Sequence, residues 1–380
     1  MFPSQPAAAS HGSGQRDDVL RDDVPRDDVL LDVRDLRVHY ALRRPHPFAA
    51  APMVHAVDGV SFRVRRGSAF GIVGESGCGK STTALALLRL VEASGGSASL
   101  DGADLLGARG AALAALRAKV QMIFQDPYSS LDPRQRVQDI IAKPMRQLTA
   151  LAPAAIAARV DELMALVGLR QDQKRLFPHQ FSGGQRQRIG IARALAVDPA
   201  LVVCDEPVSA LDVAIQAQVI NLLARIQRER GLTYVFISHD LAVVQHLCDE
   251  VAVMYLGRIV ERGSRAQLFG TPLHPYTHAL MSAEPVKDPA RRDGHSRIRL
   301  QGDPPSPLDP PAGCHFHTRC PAAEARCRSE APVLRELDGG HHVACHRVVW
   351  RDGRACPPPP FAPGAAPAGV PADGAAACAA

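Results

Sequence analysis

Nine consecutive residues, GESGCGKST at positions 74–82, have the composition of a loop that holds phosphate groups. Their spacing fits the pattern G-x-x-x-x-G-K-[ST], with an apolar run before it and a helical pattern after it. Glycines let backbone N–H groups turn toward phosphate oxygens, and the following helix adds the positive end of its dipole. Lys80 would supply a charge to the phosphates, and Ser81 a hydroxyl ligand for Mg²⁺. We expect the whole loop to contribute: Gly74, Glu75, Ser76, Gly77, Cys78, Gly79, Lys80, Ser81 and Thr82.

A pair of acids follows an apolar run further along the chain, in LVVCDEP at positions 201–207. The run predicts a buried strand that brings Asp205 to its carboxyl end, where the carboxylate can hold Mg²⁺ and its waters. Glu206 comes next, in a position to accept a proton from a water molecule that attacks the terminal phosphate. Together with the phosphate loop, the acid pair predicts hydrolysis of a nucleoside triphosphate.

A third group of reactive residues lies near the C-terminal end and consists of Cys314, Cys320, Cys327 and Cys345. Thiols stay reduced in the cytoplasm, which argues against disulfides in a protein without a secretion signal. The spacing is wider than that of the usual zinc pairs, whose ligands lie roughly two to four residues apart. We expect a short helix that starts at Pro321, with Cys320 as its cap and Cys327 two turns on along the same face.

Three interpretations of these cysteines stay open on the residues alone. A bulky metal cluster bridges two helical turns more easily than a single ion does, and four thiolates suit it. Zinc is the alternative and could recruit His315, His317 or His346. Metal-free packing is the third.

The elements that must position these residues are visible as short apolar runs that alternate with helical patterns. Strands are predicted at 31–40, 57–64, 68–74, 201–207 and 233–240, and helices at 84–92 and 217–230. Strands that alternate with helices form a mostly parallel sheet covered on both faces, so the fold class is α/β. Residues 126–180 have helical patterns without a strand signal, which predicts an inserted helical subdomain.

Shifts in composition divide the 380 residues into four parts. Residues 1–30 are polar, contain RDDV three times and are predicted to be a disordered leader. We place the main domain at 31–270 and a small Cys-containing C-terminal extension at 271–355. Residues 356–380 form a low-complexity tail that is predicted to be disordered.

Several classes of protein are disfavoured by composition. Aromatic residues are only 4% of the chain, and the net charge of +5 is not gathered into a basic patch with aromatics, so we expect no nucleic acid. No apolar run reaches the length of about 18 residues that a membrane span needs. The N-terminus lacks the basic start and apolar core of a signal peptide, which predicts a cytoplasmic protein.

The segment FSGGQRQR at positions 181–188 resembles the signature motif of ABC-type ATPases. Other motifs of that family have counterparts in the right order. Gln125 resembles the Q-loop glutamine, residues 209–212 resemble the D-loop, His239 resembles the switch histidine, and Tyr40 resembles the aromatic residue that stacks on adenine. The resemblance covers about residues 31–355 and implies a P-loop NTPase with a RecA-like core and an inserted ABC helical subdomain.

Longer segments narrow the resemblance. FQDPYSSLDPR, CDEPVSALDV, HPYT and DPPSPLDPPAGCHFHTRCP are similar to segments in the ATPase subunits of oligopeptide and dipeptide importers. Within that family the chain is more similar to the second of the two paired ATPases. The matching C-terminal segment of the family carries four cysteines that ligate a [4Fe–4S] cluster. The resemblance therefore implies this role here, with zinc as the alternative, for Cys314, Cys320, Cys327 and Cys345.

The family resemblance also implies the way in which the site works. Two ATPase domains stand head to tail with two ATP molecules between them, so signature residues of one domain face the phosphate loop of the other. The residues expected to serve a nucleotide from this side are Ser182, Gly183, Gly184, Gln185 and Asp212. Glu206, His239 and Gln125 are the expected catalytic residues. Ser81, Asp205 and Gln125 are expected at Mg²⁺.

The implied partners are a second ABC ATPase subunit in a heterodimer, two membrane permease subunits and, indirectly, an extracytoplasmic substrate-binding protein. The chain would then lie at the cytoplasmic face of the cell (inner) membrane as a peripheral subunit. An importer for nickel or glutathione is an alternative with the same ATPase role. A soluble ABC ATPase of DNA repair or translation is disfavoured, since those usually carry two cassettes or a long coiled-coil insertion.

Overall fold

The computed structural model describes residues 28–44, 51–283, 298–351 and 354–358. Most of the predicted leader and nearly all of the predicted tail lie outside these residues. The first strand already begins at Val29, within the last residues that the composition assigns to the leader.

Two larger sheets and a two-stranded hairpin organise the described residues. The strands are β1 (Val29–Ala41), β2 (Met53–Arg65), β3 (Ala69–Val73), β4 (Gly95–Leu100), β5 (Ala103–Asp104), β6 (Val120–Ile123), β7 (Leu201–Asp205), β8 (Thr233–Ser238), β9 (Glu250–Tyr255), β10 (Arg258–Ser264), β11 (Arg335–Glu336), β12 (His342–Val343), β13 (Val349–Arg351) and β14 (Arg354–Cys356). The larger sheet has the order β11-β12-β10-β9-β3-β8-β7-β6, and the smaller one has the order β2-β1-β4-β5.

Helices connect these strands and cover the larger sheet. They are α1 (Lys80–Leu87), α2 (Gly110–Lys119), α3 (Val137–Leu148), α4 (Pro153–Leu166), α5 (Gly183–Ala194), α6 (Val213–Arg230), α7 (Leu241–Leu247), α8 (Arg265–Gly270), α9 (Pro275–Ser282) and α10 (Ala325–Ser329). None of the helices in the described ranges combines the length and apolarity that crossing a bilayer requires.

The centre of the larger sheet is parallel. Strands β9, β3, β8, β7 and β6 run in the same direction, and every residue of β3, β7 and β8 is buried. Strands with helices on both faces have no solvent side, which is why their sequences are continuous apolar runs rather than alternating ones. The predicted α/β fold with a mostly parallel sheet is confirmed.

One hydrophobic core joins the antiparallel sheet to the parallel one. Phe62 of β2 and Phe70 of β3 stack with ring centroids 4.8 Å apart, and Leu87 of α1 belongs to the same buried cluster. The antiparallel register of β1 and β2 places Tyr40 opposite Val54. This packing fixes β2 beside the loop that follows β3.

The insert predicted at about 126–180 contains α3 and α4, and no strand occurs among these residues, all of which are described. In α3 the buried side chains Val137, Ile140, Ile141 and Met145 recur at the spacing of one helix face. Helix α5 follows the insert, and Ile189 of α5 lies in the same core cluster as those residues of α3. The helices therefore pack on one another before the chain enters β7.

The C-terminal extension continues the larger sheet. Strand β12 pairs antiparallel with β10, with Val343 opposite Glu261 and His342 opposite Arg262. Strand β11 then pairs with β12. The sheet thus grows from a parallel centre into an antiparallel flank that the extension supplies.

A buried carboxylate secures this flank. Glu261 Oε1 accepts hydrogen bonds from the Leu273 N–H at 2.7 Å and lies 2.8 Å from His341 Nε2. Glu261 Oε2 accepts one from the His274 N–H at 2.8 Å. Burial alone would raise the pKa of Glu261, but these donors, with His341 foremost, hold the pKa below its ordinary value. One side chain thus ties the segment before α9 to the segment before β12.

Replacing Glu261 by alanine is expected to destabilise the protein, because His341 and two backbone N–H groups lose their buried acceptor. Removing one side of such a network lowers the free energy of unfolding by roughly 3 kcal/mol. Because the folded-state pKa is depressed, this contribution is present above about pH 4.5 and is lost as the pH falls through the lowered pKa. Urea unfolding across pH 7 to pH 3 measures the difference between wild type and variant.

Glu330→Ala is the matched control, since Glu330 and its partner Arg326 are both more than half exposed. Exposed ion pairs contribute little, so this variant should unfold close to wild type. Equal urea midpoints for Glu261→Ala and Glu330→Ala would contradict the role assigned to the buried carboxylate.

Candidate nucleotide-binding site

The phosphate loop joins β3 to α1 through residues 74–79. Gly79 has a φ of 106°, and a Cβ atom there would lie 2.1 Å from the carbonyl oxygen of Ala56. Only glycine accepts this left-handed conformation together with so close an approach. Helix α1 begins at Lys80, so the unpaired N–H groups of its first turn adjoin the loop. The local structure provides the backbone donors that the sequence predicts.

The Lys80 ammonium spans the loop. Its Nζ donates to the carbonyl oxygens of Gly74 at 2.8 Å and Glu75 at 3.0 Å. The Lys80 residue is only 5% exposed, so its charge is held by the loop instead of reaching into bulk water. A cation fixed in this way is suited to neutralising phosphate oxygens that lie in the loop.

The predicted Mg²⁺ ligands Ser81 and Asp205 are in contact. Ser81 Oγ donates to Asp205 Oδ1 at 3.0 Å, from the first turn of α1 to the end of β7. Burial raises the pKa of the Asp205 carboxyl, and nearby Glu206 adds to the shift, while the Ser81 hydrogen bond opposes it. A hydroxyl and a carboxylate side by side are oxygen ligands of the kind that Mg²⁺ prefers.

Glu206 brings together the three residues that the sequence marks as catalytic. Gln125 Nε2 donates to Glu206 Oε2 at 2.9 Å, and His239 Nδ1 lies 3.1 Å from Glu206 Oε1. The backbone of Glu206 has a φ of 45°, in the left-handed region that non-glycine residues rarely adopt. Its N–H donates to the carbonyl of Ile237 at 2.9 Å, which holds the turn after β7 in place. Such local strain is typical of functional positions.

These residues line a cleft of about 930 Å³. Its lining includes most of the predicted loop residues and the three predicted catalytic side chains. Ser209 and Ala210 of the segment that resembles the D-loop also line it, and further lining residues that the sequence did not indicate are Val54, Ala56, Asp126, Leu280 and Pro307. Leu280 and Pro307 belong to the C-terminal extension, so the extension forms part of the cleft wall. Cys78 and Asp205 are buried behind this wall.

Tyr40 is not among the residues that line the cleft. It lies on β1 directly opposite Val54 of β2, and Val54 is one of the residues that line the cleft. Tyr40 is 37% exposed. The expected stacking of Tyr40 on adenine stays a prediction.

The signature residues form a helix cap away from the cleft. Ser182 Oγ accepts a hydrogen bond from the Gln185 N–H at 3.4 Å, and Gln185 Oε1 accepts one from the Ser182 N–H at 3.0 Å. This capping box starts α5, with Gly183 and Gly184 in its first turn. Asp212 occupies the corresponding capping position before α6. None of these residues lines the cleft of the same chain.

The four C-terminal cysteines have free thiols and lie near one another. The pKa of the Cys345 thiol is raised to about 12 by burial and by the proximity of Cys314, Cys320 and Cys327. Burial likewise raises the pKa of the Cys320 thiol to about 11, and Cys314 and Cys327 contribute. The structure thus gathers thiols that are spread over the sequence.

The prediction of a short helix that starts at Pro321 is wrong. A turn closed by a hydrogen bond from the Ala323 N–H to the Cys320 carbonyl at 3.2 Å occupies these residues. Proline is favoured at the second position of such turns as well as at helix starts, so its signal is ambiguous. Helix α10 begins only at Ala325. Of the other described cysteines, Cys78, Cys204 and Cys248 have free, buried thiols, and Cys356 is disulfide-bonded.

A second cluster of polar residues lies beside the cleft and was not predicted. His39, His55 and Asp58 place their side-chain ligand atoms within 4.8 Å of one another. Arg258 donates to Asp58 Oδ2 from Nε at 3.1 Å and from Nη2 at 2.7 Å, and His39 Nε2 lies 3.3 Å from Oδ1. With both carboxylate oxygens engaged, the cluster forms an ion-paired joint between β2 and β10. No local motif links these residues in the sequence, and His39 and His55 come together through the register of β1 and β2.

Comparison with known proteins places the chain in a family. The sequence model for ABC transporters matches residues 57–209, and the model for the C-terminal region of oligopeptide/dipeptide transporters matches residues 260–327. The oligopeptide transport ATP-binding protein OppF of Escherichia coli (strain K12) is 49% identical over 84% of this chain and 96% of its own length. The chain belongs to the ATP-binding proteins of oligopeptide/dipeptide-type ABC transporters. The predicted family membership is confirmed.

Other relatives agree with this placement. The di/tripeptide transport ATP-binding protein DppF of Pseudomonas aeruginosa (strain UCBPP-PA14) is 49% identical over 84% of this chain and 98% of that protein. Among solved structures, cbiO1 of Clostridium perfringens, part of the transporter complex cbiONQ, has a TM-score of 0.55 at 28% identity, covering 64% of this chain and 91% of cbiO1. The dimeric ATP-binding cassette MJ0796, bound to ADP and Pi, has the same fold, with a TM-score of 0.55 at 24% identity over 62% of this chain and 99% of MJ0796.

Family membership and fold agree with the cleft geometry. An ABC ATPase binds ATP and hydrolyses it, so this chain is the ATP-hydrolysing subunit of an ABC transporter. The roles of the individual side chains in this chain stay predictions at this point.

The close packing of the phosphate loop predicts a difference between two of its glycines. Gly79→Ala would push a methyl group into the Ala56 carbonyl, whereas Gly77 has a φ of 80° but open space around its Cβ position. Gly77→Ala should lower the free energy of unfolding by about 1 kcal/mol through backbone strain alone. Gly79→Ala should lower it by roughly 2 kcal/mol more, because the loop must also shift.

Urea unfolding of the two variants without nucleotide measures this difference and needs no assumption about ligand binding. Similar unfolding free energies for both variants would contradict the close contact between Gly79 and Ala56.

Proposed function

We propose that this protein binds and hydrolyses ATP to drive the import of peptides through separate membrane permease subunits. The support for the substrate class is the 49% identity to oligopeptide and di/tripeptide transport proteins, together with the match of residues 260–327 to the oligopeptide/dipeptide transporter C-terminal region. The support for hydrolysis is the meeting of Gln125, Glu206 and His239 at the phosphate loop.

Different residues of the site bind the phosphates and the metal ion of MgATP in this proposal. Backbone N–H groups of the loop and the first turn of α1 bind the phosphates, and Lys80 neutralises their charge. Ser81 and Asp205 would hold Mg²⁺, with Gln125 as a further ligand, and the ion would supply positive charge beside the phosphate oxygens. The hydrogen bond between Ser81 and Asp205 supports this assignment, because it places the two oxygen ligands together.

Glu206 acts as the general base. Its carboxylate takes a proton from the attacking water as the water oxygen bonds to the γ-phosphorus. The bond between that phosphorus and the bridging oxygen breaks, and the electron pair leaves with ADP. Gln125 and His239 each contact one of the two carboxylate oxygens and so orient Glu206, and the remaining lone pairs of these oxygens are free to accept from the water. Gln125 also leads into the insert, which contacts the permeases in this proposal.

The signature residues serve the nucleotide of a partner. Ser182, Gly183, Gly184 and Gln185 form a helix start outside the cleft of their own chain, where their N–H groups and hydroxyl face another molecule in a head-to-tail pair. Asp212 at the start of α6 lies at the same interface in this proposal. The partner is a second ABC ATPase in a heterodimer, which joins two permease subunits and acts with an extracytoplasmic substrate-binding protein. The chain is then peripheral at the cytoplasmic face of the cell (inner) membrane.

The four C-terminal cysteines are proposed to hold a [4Fe–4S] cluster. A tetrahedral zinc ion with Zn–S bonds of about 2.3 Å needs sulfurs about 3.8 Å apart. Among the described residues only His39, His55 and Asp58 gather three ligand atoms within 4.8 Å, so the four thiols are spread more widely than zinc requires. Four free thiols, no three of which gather within that distance, leave room for the larger cubane. Its role is to cross-link the extension.

Glu206→Gln is expected to keep the affinity for MgATP and to lower turnover by at least about 100-fold, because an amide cannot take the proton. Lys80→Ala is expected to lose MgATP binding, since the charge over the phosphates is removed. Calorimetric binding to the full chain and phosphate release by the assembled transporter measure the two effects.

Glu229→Gln is the matched control, because Glu229 is an exposed acid on α6. It should leave both quantities unchanged. Phosphate release by Glu206→Gln near the rate of the control would exclude Glu206 as the base.

Anaerobic purification is expected to give a coloured protein with iron and acid-labile sulfide in equal amounts, about four of each per chain. Cys320→Ser should lose most of the iron, whereas Cys248→Ser, at a buried cysteine of the ATPase core, should retain it. A colourless wild-type protein with one zinc per chain would favour the zinc alternative, and equal iron in both variants would refute the ligand assignment.

A further inference from the structure

Glu75, the second residue of the phosphate loop, is held by the C-terminal extension at two points. The Arg319 guanidinium donates twice to its carboxylate, from Nη1 to Oε2 at 2.7 Å and from Nη2 to Oε1 at 3.1 Å. The Glu75 N–H donates to Tyr276 Oη at 2.8 Å. The Glu75 carbonyl oxygen accepts a hydrogen bond from Lys80 Nζ. The residue that the extension holds is therefore also a residue that positions the phosphate-binding lysine.

The two side chains that hold Glu75 are themselves fixed. Tyr276 is fully buried, with its ring centroid 4.7 Å from that of Tyr255 and 5.4 Å from that of Phe316. The Arg319 side chain is 8% exposed, and its guanidinium carbon lies 5.9 Å from the centroid of the Tyr255 ring. Tyr255 ends β9 of the ATPase core, whereas Phe316 and Arg319 belong to the extension. An aromatic cluster thus anchors the extension beside the phosphate loop.

The charge of Glu75 makes this contact important for the nucleotide. Glu75 lines the cleft, so its carboxylate lies near the place where a polyanionic triphosphate binds. Like charges at short range in a partly enclosed site repel one another and weaken binding. The bidentate pair with Arg319 neutralises the carboxylate and turns it toward the extension.

We propose that Arg319 and Tyr276 are positioning residues of the phosphate loop, through which the C-terminal extension sets the affinity for ATP. Arg319 neutralises Glu75, and Tyr276 fixes its backbone. The Glu75 carbonyl oxygen accepts a hydrogen bond from Lys80 Nζ, so a fixed Glu75 backbone also positions the Lys80 ammonium. The inference rests on the proposed ATP site and adds to it a contribution from a part of the chain outside the ATPase core.

The test measures MgATP and MgADP affinity of the full chain by calorimetry. Arg319→Gln should raise the Kd for MgATP about tenfold, the size of one unscreened charge contact. The effect on MgADP should be smaller, because ADP carries less charge. Removing the unneutralised acid should reverse the loss, so Glu75→Gln/Arg319→Gln should bind MgATP within about threefold of wild type. A role in folding alone predicts no such rescue.

Three further variants separate charge, hydrogen bonding and general damage to the extension. Arg319→Lys keeps the charge but not the bidentate geometry, and should bind MgATP more tightly than Arg319→Gln. Tyr276→Phe loses only the acceptor for the Glu75 N–H and should weaken binding by about threefold. Arg326→Gln removes an exposed ion pair of the same extension and should bind as wild type.

An unchanged Kd in Arg319→Gln would overturn the proposal, and so would a double variant as weak as Arg319→Gln. If Arg319→Gln does not fold, Tyr276→Phe decides, because wild-type affinity in that variant overturns the proposal as well. Failure of the proposed ATP site is distinct: it requires that wild type does not bind MgATP, or that Lys80→Ala binds it normally.

Discussion

The site depends on the parallel register of four neighbouring strands. Strands β3, β8, β7 and β6 lie side by side in the larger sheet, so their carboxyl ends meet at one edge. The phosphate loop follows β3, His239 follows β8, the acid pair ends β7, and Gln125 follows β6. A shift of one residue in any of these strands would turn its terminal side chain to the opposite face. The catalytic contacts are therefore set by backbone pairing in the core.

The parts of the site that could be predicted are those with local signals. The glycine spacing of the phosphate loop and the apolar run before Asp205 each lie within a few consecutive residues, and the structure places both as expected. The contact between Glu75 and Arg319 joins residues 244 positions apart, and no periodicity or motif links them. The adenine role of Tyr40 rests on a motif alone and stays a prediction, since Tyr40 lies opposite the cleft-lining Val54 but is not itself among the lining residues. Pro321 shows the limit of a residue preference, since proline serves turns and helix starts alike.

The change in composition near residue 270 does not mark a gap in the hydrophobic core. Phe269, Tyr276 and Phe316 belong to the same buried cluster as Val202 of β7. Glu261, which precedes that position, adds a buried carboxylate whose partners Leu273, His274 and His341 all follow it. A segment rich in proline, which has little apolar surface of its own, is thus held by groups that the ATPase core provides.

Strands β12 and β11 affect how readily the edge of the larger sheet can pair with other molecules in a crowded solution. Without them, the seven residues of β10 would form the exposed border of the larger sheet, with unpaired N–H and C=O groups ready to accept a strand from another molecule. The extension covers the middle of this border, where β12 pairs with Glu261 and Arg262, and the outermost strand there is β11, which has two residues and carries the exposed charges of Arg335 and Glu336. A border so short and so charged offers little for strand addition, so the C-terminal segment also protects the sheet from edge-to-edge aggregation.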